Sequence, residues 1–208
     1  MCSSDLCPLC PRLAEFRHAN RRAYHDFFND PVPSFGSQDV RLLIVGLAPG
    51  LKGANRTGRP FTGDYAGDLL YATLKRHGLA RGEYGQRTDD GFTLVGCRVT
   101  NAVRCVPPEN KPLPAEIKTC RPFLETEIAA MKNLRAILVM GAIAHDSVAS
   151  ALKLKKKDHK FAHGARHEAH GLVIVASYHC SRCNTNTGVL TEKMFDSVVA
   201  AAKVAAGL

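Results

Sequence analysis

The sequence contains no apolar run long enough to cross a bilayer, and no basic-then-apolar leader precedes its first cysteines. A soluble, cytoplasmic protein with no membrane partner is therefore expected. The chain also lacks the G-x-x-x-x-G-K-[ST] and G-x-G-x-x-G spacings that cradle phosphates, which disfavours a nucleotide cofactor. Nothing repeats internally and no linker-like stretch interrupts it, so the 208 residues read as a single domain, 1–208. Acidic residues are in short supply. Nineteen Asp and Glu against 28 Lys and Arg leave a formal charge of +9, which favours a polyanionic partner.

An apolar content of 45% is ample for one buried core. The spacing of apolar residues predicts helices over 13–28, 67–77 and 143–152, and a closing helix capped by Thr191 with Met194, Phe195, Val198 and Val199 on one face. Strands are expected over 40–47, within 92–103, over 136–141 and over 172–177. Strand and helix alternate, and the chemically interesting residues fall just past the strand ends. That is the pattern of an α/β fold with a parallel sheet, whose ligands bind beyond the carboxyl ends of the strands.

Eight cysteines in a chain without an export signal point to metal ligation or burial rather than to disulfides. Cys7 and Cys10 form a C-x2-C pair, with Pro8 and Pro11 stiffening the turn. Cys105 follows an expected strand end. Cys120 falls on the inward face of a helical pattern formed with Ile117, Leu124, Ile128 and Met131. Spacing alone leaves three readings open: ordinary burial, the set Cys7, Cys10, Cys105 and Cys120, or a zinc-ribbon-like set that pairs Cys7 and Cys10 with Cys180 and Cys183.

Three segments carry chemistry. The first runs Gly46-Leu47-Ala48-Pro49-Gly50 and continues as Asn55-Arg56-Thr57-Gly58-Arg59-Pro60-Phe61-Thr62-Gly63-Asp64. Glycines at this density let main-chain N–H groups approach a ligand, and Asp64 adds one carboxylate; the bland alternative is a loop with a capping aspartate. The second is Thr100-Asn101-Ala102-Val103-Arg104, where the Asn101 amide suits the edge of a pyrimidine or merely a turn. The third begins Ser177-Tyr178-His179-Cys180-Ser181 and places a histidine at a strand end, followed by small polar residues able to meet a phosphate backbone. A basic stretch over 153–157, with Lys160 and Arg166, lies in a loop-like region and reads either as a solvated face or as a phosphate contact.

Taken in order, GLAPG, NRTGRPFTGD, TNAVRC and HCSRCNTNTG resemble the motif set of the uracil-DNA glycosylase superfamily. CPLCPRL and RCVPPENKP…TCRPFL resemble the segments that hold the cluster in its iron–sulfur family five. The resemblance covers nearly the whole chain. It implies a three-layer α/β/α sandwich around a central parallel four-stranded sheet, and a [4Fe-4S] cluster on Cys7, Cys10, Cys105 and Cys120. It also implies hydrolysis of the N-glycosidic bond of uracil, hypoxanthine or xanthine flipped out of double-stranded DNA, by a monomer. Under it Asp64 orients water or stabilises charge on the sugar, and His179 stabilises charge on the departing base. Phe61 stacks on the base, Asn101 reads its edge, and the backbone of Gly46, Leu47 and Ala48 assists. Ser181, Arg182, Asn184 and Thr185 press into the minor groove.

Two departures stand out. His179-Cys180-Ser181 replaces the family's usual His-Pro-Ser, removing a source of stiffness, and Val189 replaces a commonly basic residue. The 46–50 loop carries no carboxylate or amide side chain, which shifts the work to Asp64 and to the quality of the leaving group. The same fold and cluster would also suit a catalytically silent DNA-binding module. Asp64, Asn101 and His179 together favour the enzyme.

Overall fold

A run such as Leu42-Leu43-Ile44-Val45, apolar on both sides of the pleat, is stable as a strand only when both faces are covered. The structure, a computed structural model that describes residues 7–208, covers it on both. The chain runs α1 (Pro11–Ala23), β1 (Leu42–Gly46), α2 (Ala54–Thr57), α3 (Tyr65–Arg76), β2 (Ala80–Arg81), β3 (Thr93–Leu94) and β4 (Cys97–Asn101). It continues with α4 (Pro114–Ala130), β5 (Ala136–Met140), α5 (Ala142–Ala151), β6 (Arg166–Ala169), β7 (Leu172–Ser177), α6 (Arg182–Asn186) and α7 (Glu192–Ala205).

The main sheet has the order β4-β1-β5-β7-β6. Its first four strands are parallel, as the alternation of elements requires, while β6 runs antiparallel to β7. The sheet therefore has five strands where four were expected. The fifth arises within a region that reads as loop, because Arg166-His167-Glu168-Ala169 has no apolar face: it is an edge strand that meets solvent. It joins β7 through His170 and Gly171, whose φ of 52° and 76° match a two-residue hairpin turn.

Successive strand residues point to opposite layers. Leu42, Ile44, Leu138 and Val175 pack with Leu70 and Leu74 of α3 and Phe195 and Val199 of α7. Leu43, Val45, Ile137, Val139 and Ile174 pack with Leu124 of α4 and Val148 of α5. The result is the expected sandwich. Thr191 does cap α7, its hydroxyl accepting from the Met194 N–H at 3.2 Å. Helix α1 stops short of residue 28 because Asn29, at φ 52°, turns its amide onto the carbonyls of Tyr24 and Phe27. No helix among the described residues is long and apolar enough to cross a membrane.

In register, Gly46 lies beside Asn101 and Met140 beside Ser177, so the parallel strands end at one edge. The loops that leave β1, β4 and β7 meet there.

Candidate active site

Gly46 closes β1, and only glycine fits. A Cβ there would stand 2.5 Å from Asn101 Oδ1 and 2.7 Å from Phe61 Cε2, so both side chains close over the end of the strand. Phe61 is buried and holds φ 53°, a left-handed conformation that bulky residues rarely adopt. The framework holding it was not visible in the sequence. Arg59, 3% exposed, makes two bonds to Asp90, at 2.9 and 2.7 Å, and a third to Thr62 Oγ1 at 2.9 Å. Its guanidinium lies 5.0–5.8 Å from the rings of Phe35, Tyr71, Tyr84 and Phe92. The Tyr71 hydroxyl donates to the Pro60 carbonyl, and that of Tyr84 to the Phe61 carbonyl at 3.2 Å. The Arg59 bonds hold the Asp90 carboxyl far below the usual carboxylate range. Removing either charge would strand the other in the interior, at a cost of about 3–5 kcal/mol.

Asp64 caps a helix and also lines the cleft. It is the N-cap of α3, with Oδ1 accepting from the Gly67 N–H at 3.1 Å. Its Oδ2 faces the glycine loop, where a Cβ on Gly50 would lie 3.4 Å away and one on Gly53 would collide with it. One oxygen thus serves the helix and the other the cleft.

Asn101 ends β4 with 6% exposure, and among the described residues its amide makes no hydrogen bond. The next two N–H groups, of Ala102 and Val103, bond to the Gly46 and Leu47 carbonyls at 2.9 Å each, zipping the β4 exit to the glycine loop. His179 follows β7, its ring 6.0 Å from that of Phe61 at an interplanar angle of 25°. Burial pushes the imidazole below the ordinary histidine range, against the pull of the Asp64 carboxylate, so it is neutral at pH 7. Its own hydrogen bonds are unspent among the described residues. Cys180, in place of proline, is completely buried and donates its thiol to the Ala66 carbonyl at 3.2 Å. Packing against α3 thus restrains the loop where a proline ring is missing.

Helix α6 explains the following residues. Ser181 caps it, Arg182 lies 5.4 Å over the Tyr65 ring, and both line the cleft. Asn184 and Thr185 are half-buried: the Asn184 amide donates to the His179 carbonyl at 2.8 Å, and the Thr185 hydroxyl to the carbonyls of Ser181 and Arg182. Val189 is 45% exposed. The cleft measures about 710 Å³ and brings together Leu47, Ala48, Phe61, Asp64, Asn101 and His179, with Lys52, Tyr65 and Asn110, which the sequence did not single out.

Comparison with known proteins agrees with this arrangement. The model of the uracil DNA glycosylase superfamily matches residues 33–203. A type-5 uracil-DNA glycosylase of Thermus thermophilus is 43% identical over 97% of this chain and 94% of its own length. The type-5 enzyme of Mycobacterium leprae is 41% identical over 98% and 93%. A type-4 uracil-DNA glycosylase of Pyrobaculum aerophilum is 34% identical over 62% of this chain. The chain belongs to the uracil-DNA glycosylase superfamily.

In this superfamily member Cys7, Cys10, Cys105 and Cys120 line one cavity, between the start of α1, the loop after β4 and α4. Helix α1 is clamped to α4 beside it by the Arg12 guanidinium on Glu116, at 2.7 and 2.8 Å. Arg17, 3% exposed, donates to Cys105 Sγ at 3.6 Å and to the Cys7 carbonyl at 3.2 Å, while its Nε has no partner among the described residues. A buried guanidinium demands negative charge nearby, which thiolates around a cluster supply and neutral thiols do not. Without a metal, burial pushes Cys105 up to about 12 and Cys120 up to about 11. No three His, Cys, Asp or Glu side chains among the described residues are grouped to hold a single ion. The metal-ligating side chains that line the cavity are these four cysteines, a sulfur-only donor set of the kind that suits a cluster. The rival ligands lie elsewhere: Cys180 is sealed in the core and Cys183 is exposed on α6.

Proposed function

We propose that the chain excises uracil from double-stranded DNA by hydrolysing the N-glycosidic bond in the cleft at the carboxyl edge of the sheet. The observation that carries this reading is the convergence there of an aromatic ring, an unspent amide, a neutral imidazole and a carboxylate oxygen. A base inside a duplex is out of reach, so it must be extruded at a cost of a few kcal/mol, least for a mispaired base. The Phe61 ring offers a stacking face and the Asn101 amide a donor and an acceptor for the ring edge. Bond cleavage builds positive charge on the sugar and negative charge on the base. Asp64 Oδ2 acts on the first, by orienting water or by its own charge, and a His179 N–H on the second; one such donor contributes about 10²–10³-fold in rate. The main chain of Gly46, Leu47 and Ala48 adds donors without a side chain of its own.

Ser181 and Arg182 would meet the DNA backbone beside the cleft. Cys7, Cys10, Cys105 and Cys120 would hold a [4Fe-4S] cluster, with Arg17 balancing its charge. When bound, the cluster cross-links the amino-terminal turn, the β4 exit and α4, and hydrolysis needs no redox step from it. The cations Lys155, Lys157 and Lys160, unpaired among the described residues, would add affinity through phosphates without reading sequence.

The substrate range follows from what the 46–50 loop lacks. With no carboxylate or amide side chain there, cleavage depends on the leaving group, and hypoxanthine and xanthine spread negative charge onto carbonyl oxygens as uracil does. Matched duplexes differing only in the central base test this. Uracil should be released, at least one deaminated purine more slowly, and cytosine and adenine not at all. Strict uracil release at long times would reject the broad range.

A further inference from the structure

Strand β7 ends at Ser177, so beyond it no sheet partner orients the main chain that carries His179. Side chains take over. The Tyr178 N–H donates to His163 Nδ1 at 3.2 Å, and the Tyr178 carbonyl accepts from Ser177 Oγ at 2.8 Å. The His179 carbonyl accepts from the Asn184 amide. The His163 ring also stacks on Tyr178, with centroids 5.1 Å apart and an angle of 27°. The arm that delivers His163 is fixed to β7 by the Gly164 N–H on the Ala176 carbonyl, 2.7 Å, and the Ala176 N–H on the Ala165 carbonyl, 2.9 Å.

An N–H can be donated to Nδ1 only if that nitrogen is unprotonated, so His163 is the neutral tautomer with its proton on Nε2. Burial favours that form by pushing its ionisation below the ordinary histidine range, partly opposed by the main chain of Met194.

We propose that His163, which lies outside the cleft, is a positioning residue for excision: by accepting the Tyr178 N–H it sets the direction in which His179 enters the cleft. The inference rests on His179 acting on the departing base. Moving such a group by 1 Å costs about 10²-fold in rate, and loss of one restraint among several should cost about 10-fold.

The test compares His163→Leu, which keeps bulk but removes the acceptor, with His163→Asn, whose Oδ1 stands close to the place of Nδ1. Single-turnover uracil release and duplex Kd are measured for each, alone and combined with His179→Ala. His163→Leu should be about 10-fold slower with Kd unchanged, and His163→Asn should stay within about threefold of the parent. In the His179→Ala background, His163→Leu should cost nothing further. A wild-type rate for His163→Leu, equal losses in both variants, or a loss that adds to that of His179→Ala would overturn the proposal while leaving the cleft reading intact. A fully active His179→Ala protein would instead overturn the cleft reading and this proposal with it.

Discussion

Gly46→Ala adds one methyl group where the side chains of Phe61 and Asn101, proposed to hold the base, meet. The new Cβ would lie 2.7 Å from Phe61 Cε2 and 2.5 Å from Asn101 Oδ1. Carbon atoms pack at about 3.5–4.0 Å, so the Phe61 ring must move by about 1 Å. It has little freedom to do so, because its main chain is left-handed and its carbonyl is held by Tyr84. Asn101 is fixed on the other side by the strand register with Gly46. A displacement of that size costs about 10²-fold in rate, whereas overpacking a core costs about 1–3 kcal/mol. In a chain of this length that corresponds to a fall in Tm of about 2–12 °C. Single-turnover uracil release well below the melting range, paired with calorimetry, separates the two effects. A Gly46→Ala protein that excises uracil at the wild-type rate would refute the argument that Phe61 and Asn101 hold the base from these positions.

Asp64→Asn should keep the α3 cap yet lose about 10²-fold or more in excision, while Asp64→Ala should also lose about 0.5–2 kcal/mol of stability; rates and Tm measured together tell them apart. Folded-state ionisation of His145, His163 and His179 lies below the ordinary 6.5. The unfolded chain therefore takes up protons first as the pH falls, so stability should be level above about pH 7.5 and decline from about 7 towards 5. Urea midpoints across that range check the sign, and a level profile would contradict it. Protein purified without oxygen should carry about four irons and four sulfides per chain, lost on Cys105→Ala or Cys120→Ala and kept on Cys97→Ala, since Cys97 lies in the core with a neutral thiol. Stoichiometric zinc without visible absorbance would overturn the cluster assignment.

Strands β1, β5 and β7 were legible because each is apolar on both faces, whereas β4 carries Arg98 and Thr100 on the face that meets Glu127. Strand β6 was not, since an edge strand facing water carries no such signature. The end of α1 lies short of residue 28 for a different reason: the N–H groups of Phe28 and Asn29 bond to the Arg56 and Asn55 carbonyls, contacts made only once the chain has folded. Asp64, Asn101, Phe61 and His179 were found through the order of their motifs, and the structure brings them into one cleft. The Arg59–Asp90 pair that supports Phe61 lies beyond sequence reasoning, as its partners stand 31 residues apart with nothing between them to link the two. Asn184 and Thr185 also make bonds within their own loop that the sequence does not reveal, to the carbonyls of His179, Ser181 and Arg182. His163 was one histidine among nine.

The central claim is that this cleft breaks the bond to uracil and does not merely bind damaged DNA. Its most direct test is release of free uracil from a uracil-containing duplex, with enzyme in excess, by the wild-type protein and by His179→Ala. The account predicts one uracil released and one alkali-labile site formed per duplex by the wild type. It predicts a rate about 10²–10³-fold lower for His179→Ala, at the same duplex Kd. Tight binding of the duplex by the wild-type protein with no uracil released would contradict it.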